Sequence, residues 1–475
     1  MTGRGRRGLR TVALAMAGVI AAAGLAVGGL FAAGVLPPSQ AVGKAAGAVP
    51  EATAPAPWEP AGTVLDAGAE VSEAGQASAA TGALPDVLGG LAGAAELGGR
   101  VGVSVANLDT GEDVYQSNPT GALTPASTMK LLTSAAVLHV LGPDHTFTTE
   151  AVTATPLEQG DVELTLVGGG DPLLASTRDA TRIGGATSLQ ALTSRTARAL
   201  QDAGVTSVQL SFDDGVFSGP PIDPDWRPSY VPDGVAGPVS ALAVDGAREV
   251  PGLRERSDYP ALAAAERFAE MLEEEGVSVT GDVERVTAHP DSEPVASVES
   301  PALASIVAHT LRTSDNDAAE VLARHVALGL DRPATSAEAS EAVTEVLGEL
   351  GVDLDGIEIR DGSGLSRGST VTASALVSVL VMAADPERPE LRPVISGLPV
   401  AGFNGTLADR APDGSAGYVR AKTGTLTGVH SLAGIAVAVD GTTYAFAILA
   451  DDADDALGAR AALDEFAAAL SREAE

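Results

Sequence analysis

Apolar and polar positions recur with two periods along this chain, and the changes of period mark its elements. Leu131, Ala135 and Leu138 fall at i, i+4 and i+7, a helical stripe that Gly142 stops. Pro125 suits the first turn of that helix, where its missing N–H costs nothing. Ahead of it, residues 84–97 read as a helix and 101–108 alternate loosely as a strand. Asp109-Thr110-Gly111 turns that strand and 112–117 return. The C-terminal end reads as three strands over 418–426, 431–439 and 442–449. The last two are joined at Asp440-Gly441, a hairpin signal. An amphipathic helix over 453–472 closes the chain. Helices are also predicted over 302–312, 318–328 and about 373–383.

The early hairpin and the late meander together make one antiparallel sheet, with helices from both ends covering a face. Residues 151–295 interrupt it. Short strand candidates at 162–167, 205–212 and 277–286 and a helix over 259–275 make this stretch a mainly β insert. The fold class expected is therefore α/β in the α+β sense, with one domain split into 81–150 and 296–475 around the insert. Gly168-Gly169-Gly170-Asp171-Pro172 lacks the spacing and the Lys-Ser/Thr of a phosphate loop, so it reads as a structural turn.

The N-terminus differs from the rest. Arg4, Arg6, Arg7 and Arg10 precede an uncharged stretch of 26 residues, 11–36. That length suffices to cross a bilayer and exceeds the apolar core of a signal peptide. Residues 1–36 are read as a signal-anchor with the Arg cluster inside, a cleaved signal peptide being the competing reading. Residues 37–80, rich in Ala, Pro, Gly and Glu, read as a disordered linker. The rest of the chain is then expected outside the cytoplasm, tethered to the membrane or secreted.

Charge and composition narrow the chemistry. A formal charge of −34 argues against nucleic acid as a partner, and any anionic ligand needs a local cationic pocket. Zero cysteines exclude disulfides, thiol nucleophiles and Cys-based zinc sites. Of 29 cationic residues only three are lysines: Lys44, Lys130 and Lys422. Arg cannot give up its proton, whereas a buried lysine can.

Lys130 and Lys422 both fall in candidate motifs. Ser127-Thr128-Met129-Lys130 is an S-x-x-K that places Ser127 and Lys130 on one helix face. Ser314-Asp315-Asn316 is an S-D-N at a helix start, where Asp317 and Glu320 read as a capping box. Lys422-Thr423-Gly424 is a K-T-G on a strand, and its small third residue admits a ligand backbone to the strand edge. Each motif alone is weak. Together, in this order and on these elements, they resemble the set of the penicillin-binding proteins and serine β-lactamases. Ser127 and Ser314 lie 187 positions apart, much farther than in a compact β-lactamase. GGGDP, DGSGLSR (361–367) and NGTL (404–407) before RAKTGTL are similar to the D-alanyl-D-alanine carboxypeptidase/endopeptidase family, the class C low-molecular-mass penicillin-binding proteins. The likeness covers roughly residues 85–475.

The resemblance implies a β-lactamase/transpeptidase-like fold with a helical subdomain. It implies an exported serine carboxypeptidase, with endopeptidase work on cross-links as a further expectation. The substrates would be peptidoglycan stem peptides ending in D-Ala-D-Ala, and β-lactams would acylate the enzyme. Ser127 would be the nucleophile and Lys130 its base, kept neutral by burial and by the nearby Lys422 cation, which lowers the Lys130 pKa. Ser314 would relay a proton and Asn316 would hold the substrate amide. Lys422 would also help bind the terminal carboxylate, to which Thr423 and Thr425 offer hydroxyls, Gly424 would admit the substrate backbone, and the Ser127 and Thr425 N–H groups would form an oxyanion hole. Neither metal nor cofactor is expected. A β-lactamase and a non-catalytic cell-wall-binding protein are the rivals; no loop places an acid such as Glu274 as a deacylating base. Gly364-Leu365-Ser366-Arg367-Gly368 also matches a nucleophile elbow, but only His430 follows it and the sheet is not of βα type.

Overall fold

The computed structural model describes residues 83–472 apart from 158–160, 179–182, 184–186, 251–252 and 413. The expected membrane segment (1–36) and linker (37–80) lie outside the described residues. Among those described, no helix is long and apolar enough to cross a membrane.

The first sheet is antiparallel, in the order β2-β1-β10-β9-β8. Its strands are β1 (Arg100–Asn107), β2 (Asp113–Ser117), β8 (Val419–Leu426), β9 (Val429–Val437) and β10 (Thr443–Asp451). β10 reads TYAFAILAD and is buried along most of its length because helices cover both faces. On one face lie α1 (Ala83–Ala92) and α9 (Ala456–Ala469), packing Leu88, Leu463 and Phe466 against Val103, Phe446 and Ile448. On the other lie α2 (Met129–Leu141) and α8 (Ala373–Ala384), joined by α5 (Leu303–Thr313), α6 (Asn316–Gly329) and α7 (Ser336–Leu350). There Leu131, Leu322, Val343 and Leu376 share one core with Ala445 and Ala447 of β10. The antiparallel sheet completed from both ends of the chain is as expected.

The second sheet runs β6-β5-β4-β3-β7. Its strands are β3 (Thr148–Thr153), β4 (Asp161–Gly168), β5 (Ser207–Asp213), β6 (Ser278–Arg285) and β7 (Glu293–Glu299). β4–β5 and β5–β6 pair in parallel. Parallel neighbours need crossovers, and α3 (Leu189–Asp202) and α4 (Pro260–Glu274) supply them. The inserted stretch is thus a helix-covered mixed sheet, with Leu192 and Phe268 packed on Leu164 and Leu210. β3 and β7 pair with each other and reach to Thr148 and Glu299, just past both expected limits of the insert. Residues 356–360 form only a bridge, Glu358 to Thr370, which closes the loop 361–369.

Candidate active site

Ser127 lies in a 3₁₀ turn, Ala126–Thr128, that runs straight into α2. Ala126 has φ +48°, a left-handed conformation that costs a non-glycine residue about 1 kcal/mol. Two tight packings hold the turn there. At Gly424 of β8 a Cβ would come within 2.7 Å of the Pro125 carbonyl oxygen and 2.1 Å of Ser431 Oγ. At Gly364, with φ +81°, a Cβ would lie 1.9 Å from the Ala126 oxygen. Ser431 Oγ donates to the Pro125 carbonyl at 2.7 Å and ties β9 to the same turn.

Lys130, the second residue of α2, is fully buried. Its Nζ lies 3.0 Å from Ser127 Oγ, 2.8 Å from Asn316 Oδ1 and 2.8 Å from the Ser363 carbonyl. Burial lowers its pKa to about 8, against the pull of the Asp361, Glu320, Asp315 and Asp317 carboxylates. Two of the three contacts are acceptors that cannot donate. A neutral amine therefore gives its two hydrogens to Asn316 and Ser363 and turns its lone pair to the Ser127 hydroxyl.

Lys422 on β8 is also fully buried. Its Nζ donates to Ser314 Oγ at 2.9 Å and to the Thr423 carbonyl at 2.7 Å. Burial pushes its pKa well down, and the Lys130 and Arg410 charges push it further. Burial is the first cause at Lys130, and the neighbouring Lys130 and Lys422 ammoniums each disfavour charge on the other. Ser314 sits between α5 and α6 at φ +59°, which turns its hydroxyl toward β8. Thr423 Oγ1 donates to Thr406 Oγ1 at 3.0 Å, and the side chain of Thr425 is exposed. Seven of the eight residues singled out in the sequence thus meet in one place, and Thr425 follows Gly424 on β8 with an exposed side chain. They form two hydrogen-bonded groups, Ser127–Lys130–Asn316 and Ser314–Lys422–Thr423, with Gly424 wedged between the Ser127 turn and β9.

The capping box is a correction. Asp315, not Asp317, caps α6 by accepting from the Ala318 N–H at 3.1 Å. Asp317 turns away to Arg256 and the Gly237 N–H. Glu320 accepts from the Ser363 and Gly362 N–H groups at 2.8 and 3.2 Å. Glu320 and Asp361 are supporting residues for which the sequence reading gave no such part, Asp361 opening the DGSGLSR stretch and Glu320 being read only as part of a capping box. Asp361 accepts from three backbone N–H groups, of Gly364, Leu365 and Ser366, and from Trp226 Nε1. Ser366 of the elbow-like stretch is fully buried, and its Oγ accepts from the Gly368 N–H. It is not presented as a nucleophile.

β8 is the edge strand of its sheet. Its first half is covered by residues 399–401, through Ala401 N–H to the Val419 oxygen and Ala421 N–H to the Pro399 oxygen. Among the described residues, no group of three or more His, Asp or Glu is arranged to hold a metal ion.

Comparison with known proteins agrees with this geometry. Penicillin-binding protein 4 of Haemophilus influenzae superposes with a TM-score of 0.68 over 80% of this chain and 97% of its own, at 22% identity, and so shares the fold. Carboxypeptidase DacB of Mycolicibacterium smegmatis is 34% identical over 468 residues, 94% of this chain and 96% of its own. The D-alanyl-D-alanine carboxypeptidase of an Actinomadura species is 33% identical over 430 residues, 73% of this chain and 77% of its own. The profile of one peptidase family matches residues 89–257 and 247–470, nearly all of the described chain, which therefore belongs to the D-Ala-D-Ala carboxypeptidase 3 (S13) family.

Proposed function

We propose that this family member is a serine D-alanyl-D-alanine carboxypeptidase that trims peptidoglycan stem peptides through a Ser127 acyl-enzyme, and that it cuts D-alanine-bearing cross-links by the same chemistry. The observation that carries the reading is the Lys130 amine, dry, lowered to about 8 and aimed at Ser127 Oγ. Lys130 takes the hydroxyl proton as Ser127 attacks the carbonyl of the penultimate D-alanine. The backbone N–H groups of Ser127 and Thr425 stabilise the oxyanion. Ser314, held by Lys422, passes a proton to the leaving amine. The uncovered half of β8 receives the substrate as an added strand, its carboxylate toward Lys422, Thr423 and Thr425. Water then repeats the sequence on the ester.

A deacylating carboxylate would favour the β-lactamase reading. Glu320 and Asp361, the buried acids beside Lys130, instead accept from backbone N–H groups, two at Glu320 and three at Asp361. The intact set of Ser127, Lys130, Ser314, Asn316 and Lys422 speaks against a binding protein without activity. The Arg-flanked segment 1–36 supports a membrane-anchored or secreted enzyme working outside the cytoplasm. Alkaline carbonate washing of membranes, followed by N-terminal sequencing, separates anchor from cleaved signal.

The decisive experiment is mass spectrometry after incubation with a fluorescent penicillin. One covalent adduct on Ser127, absent from Ser127→Ala, is expected, together with release of D-alanine from a D-Ala-D-Ala peptide. An adduct on Ser366, or fast turnover of a chromogenic cephalosporin, would overturn the assignment.

A further inference from the structure

The two acceptors that aim Lys130 are themselves held by the inserted stretch. Asn316 has a side-chain amide with two ends, and Oδ1 faces Lys130 only because Nδ2 donates to the Val235 carbonyl at 2.8 Å. The next residue, Asp317, is gripped by the same loop. Its Oδ1 accepts from the Gly237 N–H at 2.7 Å and its Oδ2 from Arg256 Nη2 at 2.5 Å. The Arg256 side chain is 3% exposed, and its Nη1 donates back to the Gly246 carbonyl within the insert. The other acceptor, the Ser363 carbonyl, belongs to the loop that Asp361 organises. Trp226 Nε1 of the insert donates to Asp361 Oδ2 at 2.9 Å. Trp226 and Tyr230 also pack on Leu365 of that loop.

We infer that the insert is a brace for the general base: Arg256 and Val235 through Asn316, and Trp226 through Asp361 and Ser363, are positioning elements that hold the Lys130 lone pair on Ser127. The inference rests on the acyl-transfer reading above and gives the insert a part in the chemistry. None of these residues contacts Ser127, so each acts through an intermediary. Removing one end of a buried ion pair leaves Asp317 uncompensated, which frees the first turn of α6 to move. A displacement of the base of about 1 Å costs on the order of a hundredfold in rate.

The test measures the acylation of the full-length enzyme by a fluorescent penicillin, separating non-covalent binding from the acylation rate constant. Melting curves report folding. Arg256→Ala and Trp226→Phe are each expected to slow acylation about tenfold or more, with penicillin binding changed less than about twofold. Arg256→Lys, which keeps the cation, recovers part of the loss. Measured above the pH at which Lys130 titrates, so that the Asp317 charge no longer acts through the protonation of the amine, the Arg256→Ala effect disappears in an Asn316→Ala background, because its intermediary is gone, while the Trp226→Phe effect persists. Wild-type acylation in folded Arg256→Ala and Trp226→Phe overturns the inference, and so does an equal Arg256→Ala loss with and without Asn316. If Arg256→Ala fails to fold, wild-type rates in both Arg256→Lys and Trp226→Phe overturn it. A wild-type enzyme that takes no penicillin on Ser127 sinks the acyl-transfer reading itself, an outcome distinct from unaltered variants.

Discussion

Asn316 Oδ1 lies 2.8 Å from Lys130 Nζ, although 186 positions separate the two residues. With the Ser363 carbonyl on its second side, the amine is left one free direction, and Ser127 Oγ occupies it. The charge on this nitrogen decides whether it can accept a proton.

Lys130→Arg keeps the charge but cannot deprotonate near neutrality. Loss of a general base costs about 10²–10⁴ in rate, so penicillin acylation should fall by about a thousandfold. The adduct-formation rate checks it; a variant within tenfold of wild type would remove Lys130 as the base.

The acylation rate should rise with pH up to about 8 and level off above it, since the ammonium below that pH has no lone pair. The carboxylates facing the amine are Asp361, Glu320, Asp315 and Asp317, and each holds the proton on it. Burial and the Asp361 charge lift Glu320 to about 8 as well. Its ionisation therefore adds negative charge in the same range and broadens the step. Glu320→Gln should sharpen the profile and move its midpoint down. Stopped-flow acylation from pH 6 to 9.5 measures both, and an upward shift would contradict the electrostatics.

Gly424→Ala should damage both stability and rate. The added Cβ meets Ser431 Oγ and the Pro125 carbonyl, so β8 or the Ser127 turn has to retreat. Overpacking of this kind costs about 1–3 kcal/mol. Urea unfolding and acylation kinetics report the two losses. A fully stable, fully active variant would show that the turn yields without consequence.

Asp171 supplies a stability signature away from the chemistry. Burial lifts its carboxyl from 3.8 to about 7, against one hydrogen bond from the Leu173 N–H. Between about pH 4 and 7 the folded chain keeps a proton that the unfolded chain has released. Stability from this group is therefore full at low pH and declines as the pH rises to 7. Asp171→Asn keeps an acceptor for Leu173 and does not titrate. Its melting temperature should gain on that of the wild type from pH 5 to 7.5. A constant difference across that range would refute the buried titration.

What the chain disclosed in advance follows from how local each signal is. The β9–β10 hairpin was legible because Asp440-Gly441 sits between two apolar runs, and helix α2 because its stripe begins at a proline and ends at a glycine. The motif residues were legible because chemistry restricts them to few types. β3 and β7 were not, since TTEAVT and EPVASVE are weakly alternating segments that become strands only by pairing with each other. Helix α7 has a clear cap, Thr335 accepting from the Glu338 N–H, and a regular apolar face, yet it carries no chemistry and was passed over. The supports of Lys130 were out of reach for a different reason. Val235 and Ser363 act through backbone carbonyls, which every residue has, and Trp226 and Arg256 act across long separations in sequence. No spacing rule encodes a contact made by a carbonyl oxygen.

The pairing of β1 with β10 along Arg100–Asn107 and Tyr444–Asp451 has a consequence in time. The strand made early in the described chain waits for one made near its close, and contacts so remote in sequence form slowly. A growing chain that already carries Ser127 and Lys130 has no sheet to press them together, so hydrolytic competence arrives only when the final strands dock, and a half-made copy is chemically silent.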